Sequence, residues 1–359
     1  MRPIGNLPSA TRWLLLLTLT VPATAGLHSA GLPAAFLLGP LAAAILLSAG
    51  GAGVQLPALP YLAAQGVLGC MIGTIMRADL HEIFRAGWPL LLLGTVAPIG
   101  VAALIGYLLS RWRLMPASTG IWGSMPGAAT VMVLMSDGFG ADSRIVAFMQ
   151  YLRVLCVALV ATLVALFFNA HAGGAAHAPT VWFPSQPAVG LALSVLVAVG
   201  GAWLGQRLGL PAGALLLPMI AVALLRAGGV SVTPLPPWLL VPAYALIGWS
   251  IGLRFSAEVL RYVTRLLPLM LVAIGLLLLF CGALSVALVY GLGLDPLTAY
   301  LAVSPGGADS VAIIAASSHR VDLPLVMALQ MLRFFVVMLS GPPLARFLSR
   351  RLPAPAPGA

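Results

Sequence analysis

The chain has 359 residues, 61% of them hydrophobic and only 7% charged, with a mean hydropathy of +1.07. A charged share so far below the roughly 25% of soluble domains excludes a water-soluble globule, and long continuous apolar runs exclude a β-barrel of alternating strands. The net charge of +10 comes from 18 basic residues, all Arg, placed mostly at segment ends, which is the pattern of membrane topology and not of a nucleic-acid-binding face.

Arg2 and Arg12 precede a Leu-rich run, and Ala23-Thr24-Ala25 resembles a signal-peptidase site. The equivalent segment of the second half is an ordinary span, so the first helix is expected to stay in place. Twelve apolar segments follow one another, at 13–29, 33–49, 61–76, 87–110, 115–136, 144–168, 187–208, 213–228, 238–254, 266–290, 296–317 and 324–347. This divides the chain into a first membrane repeat (11–168), a periplasmic linker (169–186), a second membrane repeat (187–347) and a disordered cytoplasmic tail (348–359).

The two sets of six segments are copies. Gly31-Leu32-Pro33-Ala34 matches Gly209-Leu210-Pro211-Ala212, and Gly69-x-x-x-Gly73 matches Gly248-x-x-x-Gly252. Pro126-Gly127 matches Pro305-Gly306, and Asp142, Gln150 and Arg153 match Asp322, Gln330 and Arg333. The offset stays between 178 and 180. Internal repeats of this kind mark many transporter folds.

Arginine placement selects a topology. If all twelve segments cross, eight loop Arg fall on each side, which is no bias. If the Pro-Gly segment of each half makes no net crossing, twelve lie inside and four outside (Arg77, Arg85, Arg226, Arg320), with Arg153 and Arg333 inside spans. Cytoplasmic enrichment of Arg favours the second arrangement. The expected fold is therefore an all-α polytopic membrane protein of two inverted structural repeats, each with five net crossings plus one broken or re-entrant Pro-Gly helix. Both termini are expected in the cytoplasm, in a bacterial inner membrane.

The stretch Val303-Ser304-Pro305-Gly306-Gly307-Ala308-Asp309-Ser310 breaks a helix at membrane depth, and Gly123-Ser124-Met125-Pro126-Gly127-Ala128-Ala129-Thr130 is its looser copy. A carboxylate in lipid costs roughly 3 kcal/mol, so Asp309 is expected to face protein or water. It could bind Na⁺ with freed carbonyls, accept a proton, or cap the half-helix that follows. Its counterpart Thr130 is neutral. Half-helix N-termini after each break favour an anionic group, and Ser124, Ser304 and Ser310 could add hydroxyl contacts. Gln150 and Gln330 lie three residues before Arg153 and Arg333, on the same helix face. The two Arg could bind a substrate carboxylate, pair with Asp309, Asp142 or Asp322, or snorkel to the interface. The candidate substrate site is thus Ser124, Pro126, Gly127, Thr130, Gln150, Arg153, Ser304, Gly306, Gly307, Ser310, Gln330 and Arg333, with Asp309 as the ion-coupling residue.

The glycine pairs have helix-packing spacing. Cys70, Cys156 and Cys281 fall inside apolar segments without a CxxC or Cys/His cluster, and the five His lie at segment ends or in loops. No enzyme motif is present. The expected partners are a small-molecule solute and the bilayer, with no nucleic acid. No cofactor is expected beyond Na⁺ or H⁺ coupling, and a homodimer stays open.

The two stretches SMPGAATVMVLMSDGFGADSRIVAFMQYLR and SPGGADSVAIIAASSHRVDLPLVMALQMLR resemble those of the AbrB-type duplicated integral membrane proteins, over about residues 11–347. Members of that family often carry an ammonia monooxygenase or regulator label. The family is distantly similar to the cation:proton antiporter and anion transporter superfamily. The resemblance implies a secondary transporter organised around two broken helices. The chain departs from ion exchangers in lacking paired core carboxylates, which argues against proton or sodium antiport and leaves Asp309 for symport.

Overall fold

Lipid offers no partner to a backbone N–H or C=O, so apolar segments of this length satisfy themselves as helices. A computed structural model describes residues 8–30, 32, 34–75, 80–115, 118–126, 132, 136, 141–171, 182–210, 212–318 and 321–351, with the backbone alone at 75, 80–87, 168–171, 309 and 342. Among the described residues every regular element is an α-helix. The first half holds α1 (Ser9–Ser29), α2 (Ala35–Ala49), α3 (Ala58–Ile75), α4 (Leu80–Arg111), α5 (Thr119–Ser124) and α6 (Ser143–His171). The second half holds α7 (Ala188–Arg207), α8 (Gly213–Ala227), α9 (Pro237–Gly252), α10 (Ala257–Val263), α11 (Leu267–Leu292), α12 (Pro296–Val303), α13 (Ala308–Ala316) and α14 (Leu323–Ser349).

Six of these helices are long and apolar enough to cross a membrane, or seven if the bent pair α9–α10 is one span. The segments at 33–49, 61–76 and 213–228 do form helices, α2, α3 and α8, but these fall short of a full span. Fifteen residues rise only about 22 Å, against a hydrocarbon core of about 30 Å. Arg261, between the apolar segments at 238–254 and 266–290, lies on the short helix α10 and not in a loop.

The chain folds into two compact units, each drawing on both repeats. Unit 1 comprises residues 1–81, 162–257 and 309–324, and unit 2 comprises 82–161, 258–308 and 325–359.

In unit 1 the glycine pairs set the helix crossings. A Cβ on Gly69 would lie 2.3 Å from the Leu215 carbonyl oxygen, and one on Gly73 2.5 Å from that of Met219, so α3 presses its backbone onto α8. A Cβ on Gly248 would lie 2.6 Å from the Leu37 carbonyl oxygen and one on Gly252 2.5 Å from that of Leu41, so α9 presses onto α2. The third helix of each repeat thus packs on the second helix of the other, through equivalent surfaces. Ala34 and Ala212, matching residues that precede α2 and α8, both take left-handed conformations, at φ 57° and 52°. Leu16, Ala44, Leu47, Ala52 and Trp249 form a buried cluster, and the Trp249 indole N–H donates to Thr20 at 3.0 Å. Arg12 donates to the carbonyls of Ala52 and Gly53 just beyond the end of α2, and the Ser48 hydroxyl donates to the Leu253 carbonyl at 3.0 Å.

Unit 2 holds the two breaks. One cluster joins Ile99, Ala103, Ile121, Trp122, Met125 and Val146, and another joins Ala102, Leu277, Cys281, Leu288, Ala299 and Val303. Gly106 and Gly120 let α4 and α5 touch, since a Cβ on either would meet the other's carbonyl oxygen within 2.9 Å.

Candidate functional site

Each proline ends a half-helix. α5 stops at Ser124, two residues before Pro126. α12 stops at Val303, and α13 resumes at Ala308 after Ser304-Pro305-Gly306-Gly307. A proline offers no N–H to the carbonyl four residues earlier. For Pro126 that carbonyl is Trp122, and for Pro305 it is Leu301.

Both carbonyls receive a glutamine amide instead. Gln150 Nε2 donates to the Trp122 oxygen at 3.1 Å and to the Met125 oxygen at 2.9 Å. Gln330 Nε2 donates to the Leu301 oxygen at 2.7 Å and to the Ser304 oxygen at 3.2 Å. The side chain replaces the N–H that the ring removes, and it does so at equivalent positions of the two repeats.

The arginine one turn on completes each cap. Arg153 Nη1 donates to the oxygens of Ser124 at 3.3 Å and Met125 at 2.9 Å, and its Nη2 donates to Gln150 Oε1 at 2.8 Å. Arg333 Nη1 donates to the Ser304 oxygen, and its Nη2 donates to the Gly306 oxygen at 3.0 Å and to Gln330 Oε1. Orphan carbonyls at a helix C-terminus carry partial negative charge, so a cation there is favourable. Gln150, Arg153, Gln330 and Arg333 are each at most 5% exposed.

The two caps belong to one electrostatic centre. The Arg153 and Arg333 guanidinium groups lie within Coulombic reach of each other, and the Cys281 thiol on α11 is within reach of both. Among the described residues neither guanidinium meets a carboxylate. Asp142, one of the expected ion-pair partners, is engaged elsewhere. Its Oδ1 accepts from the backbone of Arg144 and Ile145 as the N-cap of α6, and its Oδ2 accepts from the Tyr262 hydroxyl. Snorkelling does not describe either Arg, because both heads are buried against the breaks.

The remaining site residues are placed as follows. Ser124 and Pro126 are buried at the end of the first half-helix, and the Ser124 hydroxyl has no hydrogen-bond partner among the described residues. Ser304 is buried and its hydroxyl donates to the Leu301 oxygen at 3.1 Å. Gly306 is buried, Gly307 is partly buried, and Ser310 is buried on α13. Asp309 belongs to α13, but its side chain lies outside the described residues, as do Gly127 and Thr130 entirely. Among the described residues no group of three or more His, Cys, Asp or Glu has the geometry of a metal site.

Sequence reasoning missed the acceptors Trp122, Met125 and Leu301, because a backbone carbonyl leaves no residue-type signal. It also missed Cys281, a lone cysteine in an apolar run. The spacing between each proline and its carbonyl was the one available clue to the role of the glutamines.

Comparison with known proteins agrees over nearly the whole chain. A family profile described as "Transition state regulatory protein AbrB" matches residues 36–349. A protein of Escherichia coli (strain K12) named "Putative regulator AbrB" is 43% identical over 342 residues, covering 95% of this chain and 98% of the relative. "Uncharacterized protein YhjN" of Bacillus subtilis (strain 168) is 29% identical over 299 residues, covering 79% and 77%. No solved structure matches. On the extent of the profile match and of the Escherichia coli relative, the chain belongs to the AbrB family.

Proposed function

We propose that this protein is a secondary transporter of a small anionic or zwitterionic solute, working by alternating access around its two broken helices. One observation carries the reading: the same Gln-x-x-Arg cap holds open a proline-broken half-helix in each repeat, buried in one unit. An unwound backbone deep in an apolar protein is expensive unless its polar groups are met. Broken helices at corresponding positions of two repeats are how many transporters build a midplane site. A plain kink would need no such duplicated support.

The proposal includes the inverted relation of the repeats, with five net crossings in each when the short helices α2, α3 and α8 cross as well, and an inner-membrane location with both termini in the cytoplasm. Asp309 is the residue to which we assign Na⁺ or H⁺ coupling. We assign no catalytic step and no nucleic acid, and the partners are the solute and lipid.

Purified protein in proteoliposomes tests the reading. Uptake of amino acids and of mono- and dicarboxylates is measured under a Na⁺ or a pH gradient. Uptake of at least one solute is expected, with a large loss in Asp309→Asn. Uptake indifferent to both Asp309→Asn and Arg333→Ala would sink the site assignment. Absence of uptake across the panel would favour a membrane regulator, the role in the printed name of the Escherichia coli relative.

A further inference from the structure

A cavity of about 10 Å³ opens beside the first break, lined by Gly123, Ser124, Met149, Arg153, Ile274 and Leu277 among others. That is room for one water-sized occupant. Two polar atoms of its lining residues are buried without a hydrogen-bond partner among the described residues, the Ser124 hydroxyl and the Arg153 Nε–H. Ser124 is 5% and Arg153 4% exposed. Both can donate, and Nε–H cannot accept. The other described residues that line it carry apolar side chains or none.

The charge balance of the surroundings identifies the occupant. Arg153 and Arg333 stay protonated whatever their surroundings, so the centre holds two positive charges. The two half-helix C-termini return at most about −0.5 each. Among the described residues no carboxylate answers these charges, so the described part of the centre is positive, in a water-poor setting where an unbalanced charge is strongly unfavourable. A neutral water would satisfy the hydroxyl but leave that charge. A monovalent anion answers both needs.

We propose that the Ser124–Arg153 cavity binds one negatively charged atom, either a halide ion or one oxygen of a carboxylate. The site stands on its own geometry, and it rests on the transport reading only for the statement that the solute itself carries this charge. At the second break the Ser304 hydroxyl donates to the Leu301 oxygen, so among the described residues it is not a free donor as Ser124 is. The anion site accordingly belongs to the first repeat.

The test uses the full chain in detergent, at fixed Na⁺ concentration and ionic strength. Its thermal unfolding midpoint is followed as sodium gluconate is exchanged for sodium chloride or for sodium formate. A saturable rise is expected with at least one of the small anions. A response to formate alone assigns the site to a carboxylate, and a response to chloride extends it to halides. In Ser124→Ala the apparent affinity should fall about tenfold, the effect of one hydrogen bond to a charged group, while the midpoint in gluconate stays unchanged. Arg153→Lys, which keeps a cation but lacks the Nε–H, should abolish the response; if it does not fold, Ser124→Ala decides alone. Equal midpoints in all three salts would make the cavity a water site and overturn the proposal, as would a rise whose half-maximal anion concentration is unchanged in Ser124→Ala. Uptake without an anion-dependent midpoint sinks this site and spares the transport reading; an anion-dependent midpoint without uptake does the reverse.

Discussion

The Gln150 amide donates to the Trp122 carbonyl at 3.1 Å, which is the carbonyl that residue 126 would serve if it were not proline. Gln330 stands in the same relation to Leu301 and Pro305. The breaks are therefore closed polar structures in which a distant helix supplies the missing donor.

Removing a glutamine should expose that dependence, and unequally. In Gln150→Leu the Trp122 oxygen loses the amide and Arg153 Nη2 loses its Oε1 acceptor, whereas in Gln330→Leu the Leu301 oxygen keeps the Ser304 hydroxyl and Arg333 Nη2 keeps Gly306. A buried polar group left unmet costs about 1–3 kcal/mol. Gln150→Leu should lower the unfolding midpoint more than Gln330→Leu, as read by fluorescence-monitored melting in detergent.

Proline and glutamine should also be coupled. Pro126→Ala restores an N–H four residues after Trp122, so it should soften the penalty of Gln150→Leu. A double-mutant cycle on the unfolding midpoints should return an interaction of about 1 kcal/mol. Additive effects would mean that the amide does not replace the proline's missing donor.

The glycine crossings predict steep local sensitivity. Gly69→Ala would place its Cβ 2.3 Å from the Leu215 oxygen and Gly252→Ala 2.5 Å from that of Leu41, both backbone atoms that cannot step aside. Both variants should lose folded yield and melt earlier. Gly275→Ala on α11 meets nothing within 4 Å and should gain about 0.5–1 kcal/mol from helix propensity.

Asp142 should matter as a cap. Asp142→Ala removes the acceptor for the Arg144 and Ile145 amides and should cost about 1 kcal/mol. Asp142→Asn keeps an acceptor there and should retain most of that stability. Melting curves of the two variants against wild type decide it.

The inverted arrangement proposed above makes a labelling prediction. In a cysteine-free background, Trp112→Cys and Leu208→Cys should react with an impermeant maleimide from the same side. Both parent residues are well exposed, at 64% and 58%. If every apolar segment crossed, the two would label from opposite sides.

Much of this site was legible in the chain. The duplication, both proline breaks and the Gln-x-x-Arg pairs follow from residue identity and spacing, and α12 and α13 fall on either side of Pro305-Gly306-Gly307 as read. The role of Arg153 and Arg333 was not legible. Their polarity and depth fit a substrate anion, a carboxylate partner or a carbonyl equally well, and only the fold shows that carbonyls take their Nη donors. The short turn of α10 was missed because seven residues with one Glu and one Arg carry no usable period.

The reciprocal glycine crossings also govern how this protein can be made. While the ribosome is still on the first half, α3 has left it with its glycine face empty and α2 with the face that receives Gly248 and Gly252 uncovered, because α8 and α9 belong to the second half. Unit 1 cannot close until the second half has entered the bilayer. A first half released alone would carry the glycine notch of α3 and the receiving face of α2, and a second copy of that half would offer each its counterpart. The present chain holds within one molecule a symmetry that two identical half-length chains could have built between them.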